Sequence, residues 1–435
     1  MLICRPDQSP LRILDEKLTA DPSRVVLRPF HLAWQSNVSE PPRAAQLVAD
    51  VLGLDEDQAE LELGLIWRDF SERHWQIGRI FDERYREISE DLSIDDAAVS
   101  PVKRRLIGAY FCHEYSYAAA ALMNPSIVPH PDQTGIEADQ IRFVMSMRAV
   151  GEGHISSVAF REGIVGPGSE FLLGPQSGPA MAAVADDRHS MRPDERVFVH
   201  RQPDSTISNS VLFPITEAQR NGLEDLRLVQ FVHDDGATEY IGTYTAYSGR
   251  EIRSEMMRTK DFGSFCLQPL SGSAARHKGM ALFPRRIDGL YRMIARQDGK
   301  NITILSSDEL SHWDDEGDVL MRPQFPWEFI QMGNCGSPIE CDAGWIVLTH
   351  GVGAMRKYSL GAALLDRDDP SRVLARTSCP ILSAAESDRE GYVPNVVYTC
   401  GAVRVGDRLF IPYGISDSAI GFAMTSIDAL IAAMD

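Results

Sequence analysis

The sequence predicts an all-β fold, a five-bladed β-propeller, with a helical hairpin extension at its N-terminus. Three observations predict it. The hydrophobic period changes from helical to strand-like near residue 124, one strand–turn–strand pattern then recurs five times, and the remaining length suits five such units. The expected division is 1–123 for the N-terminal segment with its hairpin and 124–435 for the propeller.

Within the N-terminal segment, Leu63, Trp67, Phe70, His74, Ile77, Phe81, Tyr85 and Ile88 follow in steps of three or four, one stripe on a helix face. Charges such as Arg68, Asp69, Glu72 and Arg73 fill the other sides. A second helical stretch, about 101–123, sets Leu106, Tyr110, His113 and Tyr117 at the same spacing and should stop at Asn124-Pro125. The stripe either packs within the chain or offers a surface for a homo-oligomer.

Beyond residue 124 short β-type runs alternate with Gly, Asp and Asn. Arg142 to Arg148 leads through Gly151-Glu152-Gly153 into His154 to Phe160. The same grammar returns at 240–258, 291–306, 345–366 and 408–423. Dividing 124–435 by five gives about 62 residues per unit, enough for four strands of five to six residues with their turns. A large β-sandwich would not need five similar units. The extra length at 163–203 reads as an insertion able to cover a pocket.

Composition narrows the function. With 62 acidic and 43 basic residues the chain carries a net charge of -19, which opposes binding to nucleic acid or to an anionic membrane. No apolar run approaches the roughly 20 residues of a membrane span, and Met1 to Pro6 lacks the order of a signal peptide, so the expected location is cytoplasmic. Seven scattered cysteines without a CxxC pair point to reduced, buried thiols and not to a disulfide framework or a structural zinc site. His113-Glu114 lacks the second histidine of a zinc protease, and P-loop, dinucleotide and G-x-S-x-G patterns are missing.

What remains is a set of polar residues in or just beyond the strand runs, where a propeller gathers side chains at its axis. They are Asn124, Arg148, Glu224-Asp225-Leu226-Arg227, Arg253, Lys278, His350, Tyr358 and Asp417. Each also has a bland reading: Asn124 as a helix end, Arg148 and Asp417 as ion-pair partners, His350 as a turn histidine, Tyr358 as a strand aromatic, Asp225 as a surface charge.

Several segments together resemble glycoside hydrolase family 130, the β-mannoside phosphorylases and related mannosidases. They are Asn124-Pro125-Ser126-Ile127-Val128-Pro129, Glu224-Asp225-Leu226-Arg227, Lys278-Gly279-Met280-Ala281-Leu282-Phe283-Pro284, His350-Gly351-Val352, Tyr358 to Asp366, Val393 to Val397 and Gly414 to Gly421, in the family's order. The resemblance implies a five-bladed propeller. It makes Asp225 the proton donor, acting through a sugar hydroxyl. Arg253, Lys278, His350 and Tyr358 become phosphate ligands, with Arg250 and Arg258 close to the first of these. Asn124, Arg148 and Asp417 become sugar contacts, and Arg227, which completes the family's Glu-Asp-Pro-Arg motif with Leu226 where proline is usual, becomes a further substrate-binding residue.

The implied reaction is phosphorolysis with inversion, a β-mannoside and inorganic phosphate giving α-mannose 1-phosphate, with phosphate as co-substrate and no cofactor or metal. Hydrolysis with inversion needs a second carboxylate to activate water; Glu224 and Glu340 are the candidates. Phosphate is already an anionic nucleophile and needs cations in its place. The other alternative is a carbohydrate-binding propeller without catalysis.

Overall fold

The structure, a computed structural model, describes residues 9–30, 43–168, 170–176, 178–186, 196–314 and 317–435. Residues 187–195 of the 163–203 stretch lie outside the described residues. The chain divides into two compact units, one of Ser23–Ser116 with Ser177–Ala182, the other of Met1–Pro22, Tyr117–Gln176 and Ala183–Asp435.

The smaller unit is helical, but it is not a hairpin. Helices span Arg43–Gly53, Glu56–Phe70, Ile77–Leu92 and Pro101–Tyr110. Asp55 and Gln58 form a reciprocal capping box at the second, and Ser100 caps the fourth with Pro101 in its first turn. The long stripe is therefore broken between Phe70 and Ile77. Its second half, Ile77, Phe81, Tyr85 and Ile88, is buried, whereas Trp67 in the first half is exposed. Gly108 sits where the third and fourth helices meet, and a Cβ there would lie 2.0 Å from the carbonyl oxygen of Phe81.

The expected helix over 101–123 ends at Tyr110. Cys112–Ser116 instead pairs antiparallel with Val25–Pro29, and Ala121–Pro129 is a strand with Asn124-Pro125 inside it. His113 and Tyr117 fall on a helical period by coincidence. Five consecutive cross-strand partners outweigh it.

The larger unit is mostly β. Each of the recurring patterns is an antiparallel hairpin: Ile141–Val150 with Ser156–Val165, Thr238–Tyr247 with Ile252–Thr259, Tyr291–Ala295 with Ile302–Ser307, Gly344–Val352 with Tyr358–Leu365, and Arg408–Ile415 with Ala419–Ser426. Further strands extend each hairpin, and the parallel bridge Gly222↔Ser156 joins the first group to the second. Among the described residues no sheet closes on itself. Hydrophobic clusters fill the spaces within and between these groups, for example Phe160, Leu226, Tyr244 and Phe265 in one and Ile346, Leu360, Ile411 and Ala423 in another.

One strand was not anticipated. Arg12–Thr19 pairs with Ala419–Ser426, from Arg12↔Met424 to Thr19↔Ala419, so it completes the sheet of the C-terminal hairpin. The division at 123/124 is corrected accordingly: residues of the first turn of chain belong with the β unit, and the later boundary falls at Ser116/Tyr117. Cysteines 112, 266, 335, 341 and 400 are free thiols, whereas Cys379 is disulfide-bonded, against the expectation that all are reduced. Among the described residues no helix is long and apolar enough to cross a membrane.

Deleting residues 12–19 bares the edge of Ala419–Ser426 and removes the buried Leu14. The expected outcome is loss of a large part of the ~5–15 kcal/mol that holds a domain folded, together with aggregation. Urea unfolding and light scattering measure both, and an unchanged midpoint would contradict the role given to this strand.

Candidate active site

Two β-bulges build the reactive corner. In Ala121–Pro129 the register jumps from Met123↔Arg148 to Ser126↔Ser146, and in Gly222–Val232 from Glu224↔Thr245 to Arg227↔Thr243. Each strand thus carries extra residues that re-aim a side chain. Pro125 falls in the first bulge, where no ladder N–H is required. Asn124 and Asp225 adopt left-handed backbone, φ 49° and 54°, a strained state for residues other than glycine. The bulges bring them together, and Asn124 Nδ2 donates to Asp225 Oδ1 at 2.7 Å. Leu226, in place of the usual proline, is buried in the adjoining hydrophobic cluster.

Two arginines fix this corner. Arg148 donates from Nη1 to Asp225 Oδ1 at 3.3 Å, from Nη2 to Glu224 Oε1 at 2.6 Å and from Nε to Ser156 Oγ at 2.9 Å. Arg227 is 3% exposed and gives Nε to the Cys335 carbonyl, Nη1 to the Asp225 carbonyl and Nη2 to Tyr398 Oη. Burial pushes the Asp225 carboxyl up, but Arg148, Arg227, the Asn124 amide and Lys278 together hold it below the usual carboxylate range. Asp417 behaves oppositely. It also stands on left-handed backbone, φ 48°, and burial together with the charge of Asp225 raises it to about 6 against the pull of Arg148 and Arg356.

Asn124, Arg148, Asp225, Arg227, Tyr398 and Asp417 line a cavity of ≈ 220 Å³ together with Lys278, Arg296, Asn334, His350 and Tyr358. His350 lies flat against Tyr358, centroids 5.9 Å apart, and edge-on to Tyr398 at 4.8 Å. Burial drives the imidazole well below its ordinary pKa, and Arg296 and Arg227 add to this, so the ring is neutral. It fits because position 333 is glycine; a Cβ there would lie 2.5 Å from His350 Cε1. Basic side chains at 148, 227, 278, 296 and 356 face carboxyls at 225 and 417, a positive locus in a chain of net charge -19. Among the described residues no group of three His, Cys, Asp or Glu could hold a metal ion.

Of the sequence candidates, Asn124, Arg148, Asp225, Arg227, Lys278, His350, Tyr358 and Asp417 all line this cavity. Arg253 does not. Its Nε donates to Glu255 Oε1 at 2.7 Å, and Glu255, 1% exposed, also accepts from Tyr244 and Gln219 at 2.6 Å each. A buried carboxylate needs that cation. Arg296, just beyond the strand Tyr291–Ala295, was missed although its place obeys the rule that selected the others. Thr245, Asn334, Arg356 and Tyr398 were missed with no motif to mark them. Glu340 is held by Arg285 and Arg367 away from the cavity lining, and Glu224 by Arg148.

The raised carboxyl of Asp417 has a measurable consequence. A folded-state pKa above the ordinary value favours the folded state at low pH and withdraws that contribution as pH rises through about 6. Asp417→Asn should abolish this decline between about pH 4 and 6 and stabilise the protein at pH 7 by on the order of 1–3 kcal/mol relative to the parent. Denaturant unfolding across that window measures it; parallel curves for the two proteins would refute the assignment.

A family model described as beta-1,4-mannooligosaccharide phosphorylase matches residues 205–435. A 1,2-beta-oligomannan phosphorylase of Thermoanaerobacter sp. (strain X514) is 35% identical over 228 residues, 50% of this chain and 73% of that protein. A Beta-1,2-mannobiose phosphorylase of Listeria innocua serovar 6a is 32% identical over 244 residues, 55% of this chain and 63% of that protein. The solved structure of the Listeria innocua Beta-1,2-mannobiose phosphorylase with beta-1,2-mannobiose superposes with a TM-score of 0.50 at 22% identity, over 72% of this chain and 92% of that one. A glycosyl hydrolase from Bacteroides ovatus gives 0.51 at 18% identity, over 73% and 87%. With the family model covering more than half its length, this chain belongs to glycoside hydrolase family 130.

Proposed function

We propose that this protein is an inverting glycoside phosphorylase that cleaves β-mannosides, β-1,2-linked ones first among them, with inorganic phosphate to give α-mannose 1-phosphate. The observation that carries this reading is the presence of Lys278, Arg296, His350 and Tyr358 in the same cavity as Asp225. The names of the relatives agree with it. Glu340 is taken up by Arg285 outside the lining, and Glu224, itself not a lining residue, is taken up by Arg148, which leaves the hydrolytic alternative without a free base in the cavity.

In this mechanism Lys278 and Arg296 hold the phosphate dianion, the arginine as a fork and the lysine as a point charge. Tyr358 donates a hydroxyl. Arg296 takes the role that sequence gave to Arg253. Asn124, Arg148 and Asp417 position the sugar, while Arg227 fixes the Asp225 carbonyl. The dianion cancels part of the field that depresses Asp225, so the carboxyl takes up a proton as phosphate binds. That proton passes through a sugar hydroxyl to the glycosidic oxygen as the C–O bond breaks. A phosphate oxygen meanwhile attacks the anomeric carbon from the opposite face, which inverts it.

The same reading takes the strand groups as the five blades of a propeller, Arg12–Thr19 completing the last. It keeps the protein cytoplasmic and without a cofactor beyond its co-substrate. The helical unit, with Leu61 and Trp75 exposed, is the surface for a homo-oligomer.

With β-1,2-mannobiose as substrate, turnover should require phosphate and yield mannose 1-phosphate; free mannose at an undiminished rate after phosphate removal would show hydrolysis. Asp225→Asn should lower kcat by about 10²–10⁴ while substrate binding, followed by calorimetry, persists.

A further inference from the structure

We propose that Asn334 is a ligand of the phosphate co-substrate, its amide oxygen accepting the proton that the anion carries and its amide nitrogen donating to a second oxygen. The cavity thereby takes monohydrogen phosphate and rejects sulfate. This inference rests on the phosphorylase reading above.

Asn334 ends the strand Gln331–Asn334, is 1% exposed and lines the cavity. Among the described residues neither its Oδ1 nor its Nδ2 has a hydrogen-bond partner. Buried polar groups are nearly always paired, so an unpaired amide on a residue that lines a cavity points to a ligand that both donates and accepts. Its place decides which ligand. The strand pairs with Gly344–Val352, Gly333 opposite His350 and Asn334 opposite Thr349, in the sheet that also supplies Tyr358. That sheet brings Asn334, His350 and Tyr358 to the cavity together, and Lys278 and Arg296 join them in the lining from segments outside it. The Asn124–Asp225 corner is built by other strands. Nδ1 of the neutral His350 is likewise buried without a partner.

Lys278 and Arg296 attract any dianion and cannot tell phosphate from sulfate by charge. Phosphate at neutral pH carries a P–OH, whereas sulfate carries no proton. A hydrogen-bond acceptor is therefore the discriminating group, and an amide oxygen supplies one without adding negative charge. Engaging the P–OH at Asn334 also turns the unprotonated oxygens toward the cations and the anomeric carbon, where a nucleophile is needed.

The test uses the full chain with β-1,2-mannobiose, inorganic phosphate and sodium sulfate, read by initial rates of mannose 1-phosphate formation. In the parent protein the sulfate inhibition constant should exceed the phosphate KM by about tenfold or more, the worth of one hydrogen bond to a charged group. Asn334→Ala should raise the phosphate KM by about tenfold, leave the mannobiose KM within about twofold and bring the sulfate-to-phosphate ratio toward one. Asn334→Asp, which keeps the acceptor and adds charge, should weaken both anions and sulfate the more. Sulfate competing as well as phosphate in the parent protein overturns the proposal without any variant. So does an alanine variant whose mannobiose KM rises in place of its phosphate KM, or in which neither moves. Turnover that needs no phosphate overturns the phosphorylase reading itself, a result separate from these.

Discussion

The site depends on keeping one half-buried carboxylate, Asp225, in a fixed place and with its pKa held low. Taking a carboxylate out of water is costly unless partners replace the lost solvation. Here the partners come from separate strands: Asn124 from one bulged strand, Arg148 from its neighbour and Arg227 from the bulged strand of Asp225 itself. The strain in two left-handed residues is the cost of the geometry, and the hydrogen bonds across the bulges offset it.

Meeting that requirement leaves the cavity with an excess of positive charge, since Lys278, Arg296 and Arg356 add to the arginines around Asp225. The two carboxyls respond in opposite directions. Asp225, nearest the cations, stays ionised, and Asp417, which feels Asp225 as well as burial, holds its proton more tightly. The neutral His350, flat against Tyr358 and edge-on to Tyr398, contributes shape and a hydrogen-bonding atom without adding to the positive field.

Legibility in the sequence followed how local each signal is. The hairpins were readable because period-2 alternation and turn residues lie within one short window, and all five are present. The helix after Pro101 was overextended because Leu106, Tyr110, His113 and Tyr117 fit a helical period, while the strand that claims Cys112–Ser116 lies far away in sequence. Arg12–Thr19 was invisible: Leu14 is its one buried residue, and charges at 12, 15, 16 and 17 hide the alternation of an outer strand. In the site, residues at strand ends and bulges were found by position and motif. Arg253 could not be separated from Arg250 and Arg258 by spacing, because what binds it is Glu255. Asn334 had no motif, and the lack of a hydrogen-bond partner for its amide among the described residues is visible only in three dimensions.

The pairing of Arg12–Thr19 with Ala419–Ser426 ties folding to the order of synthesis. The earlier strand leaves the ribosome with no edge to join and must remain unpaired until the later one emerges. Contacts of such long sequence separation form late and slowly, so the nascent chain exposes an unpaired segment in the interval. The charges that mask this strand in the sequence keep it soluble during that wait.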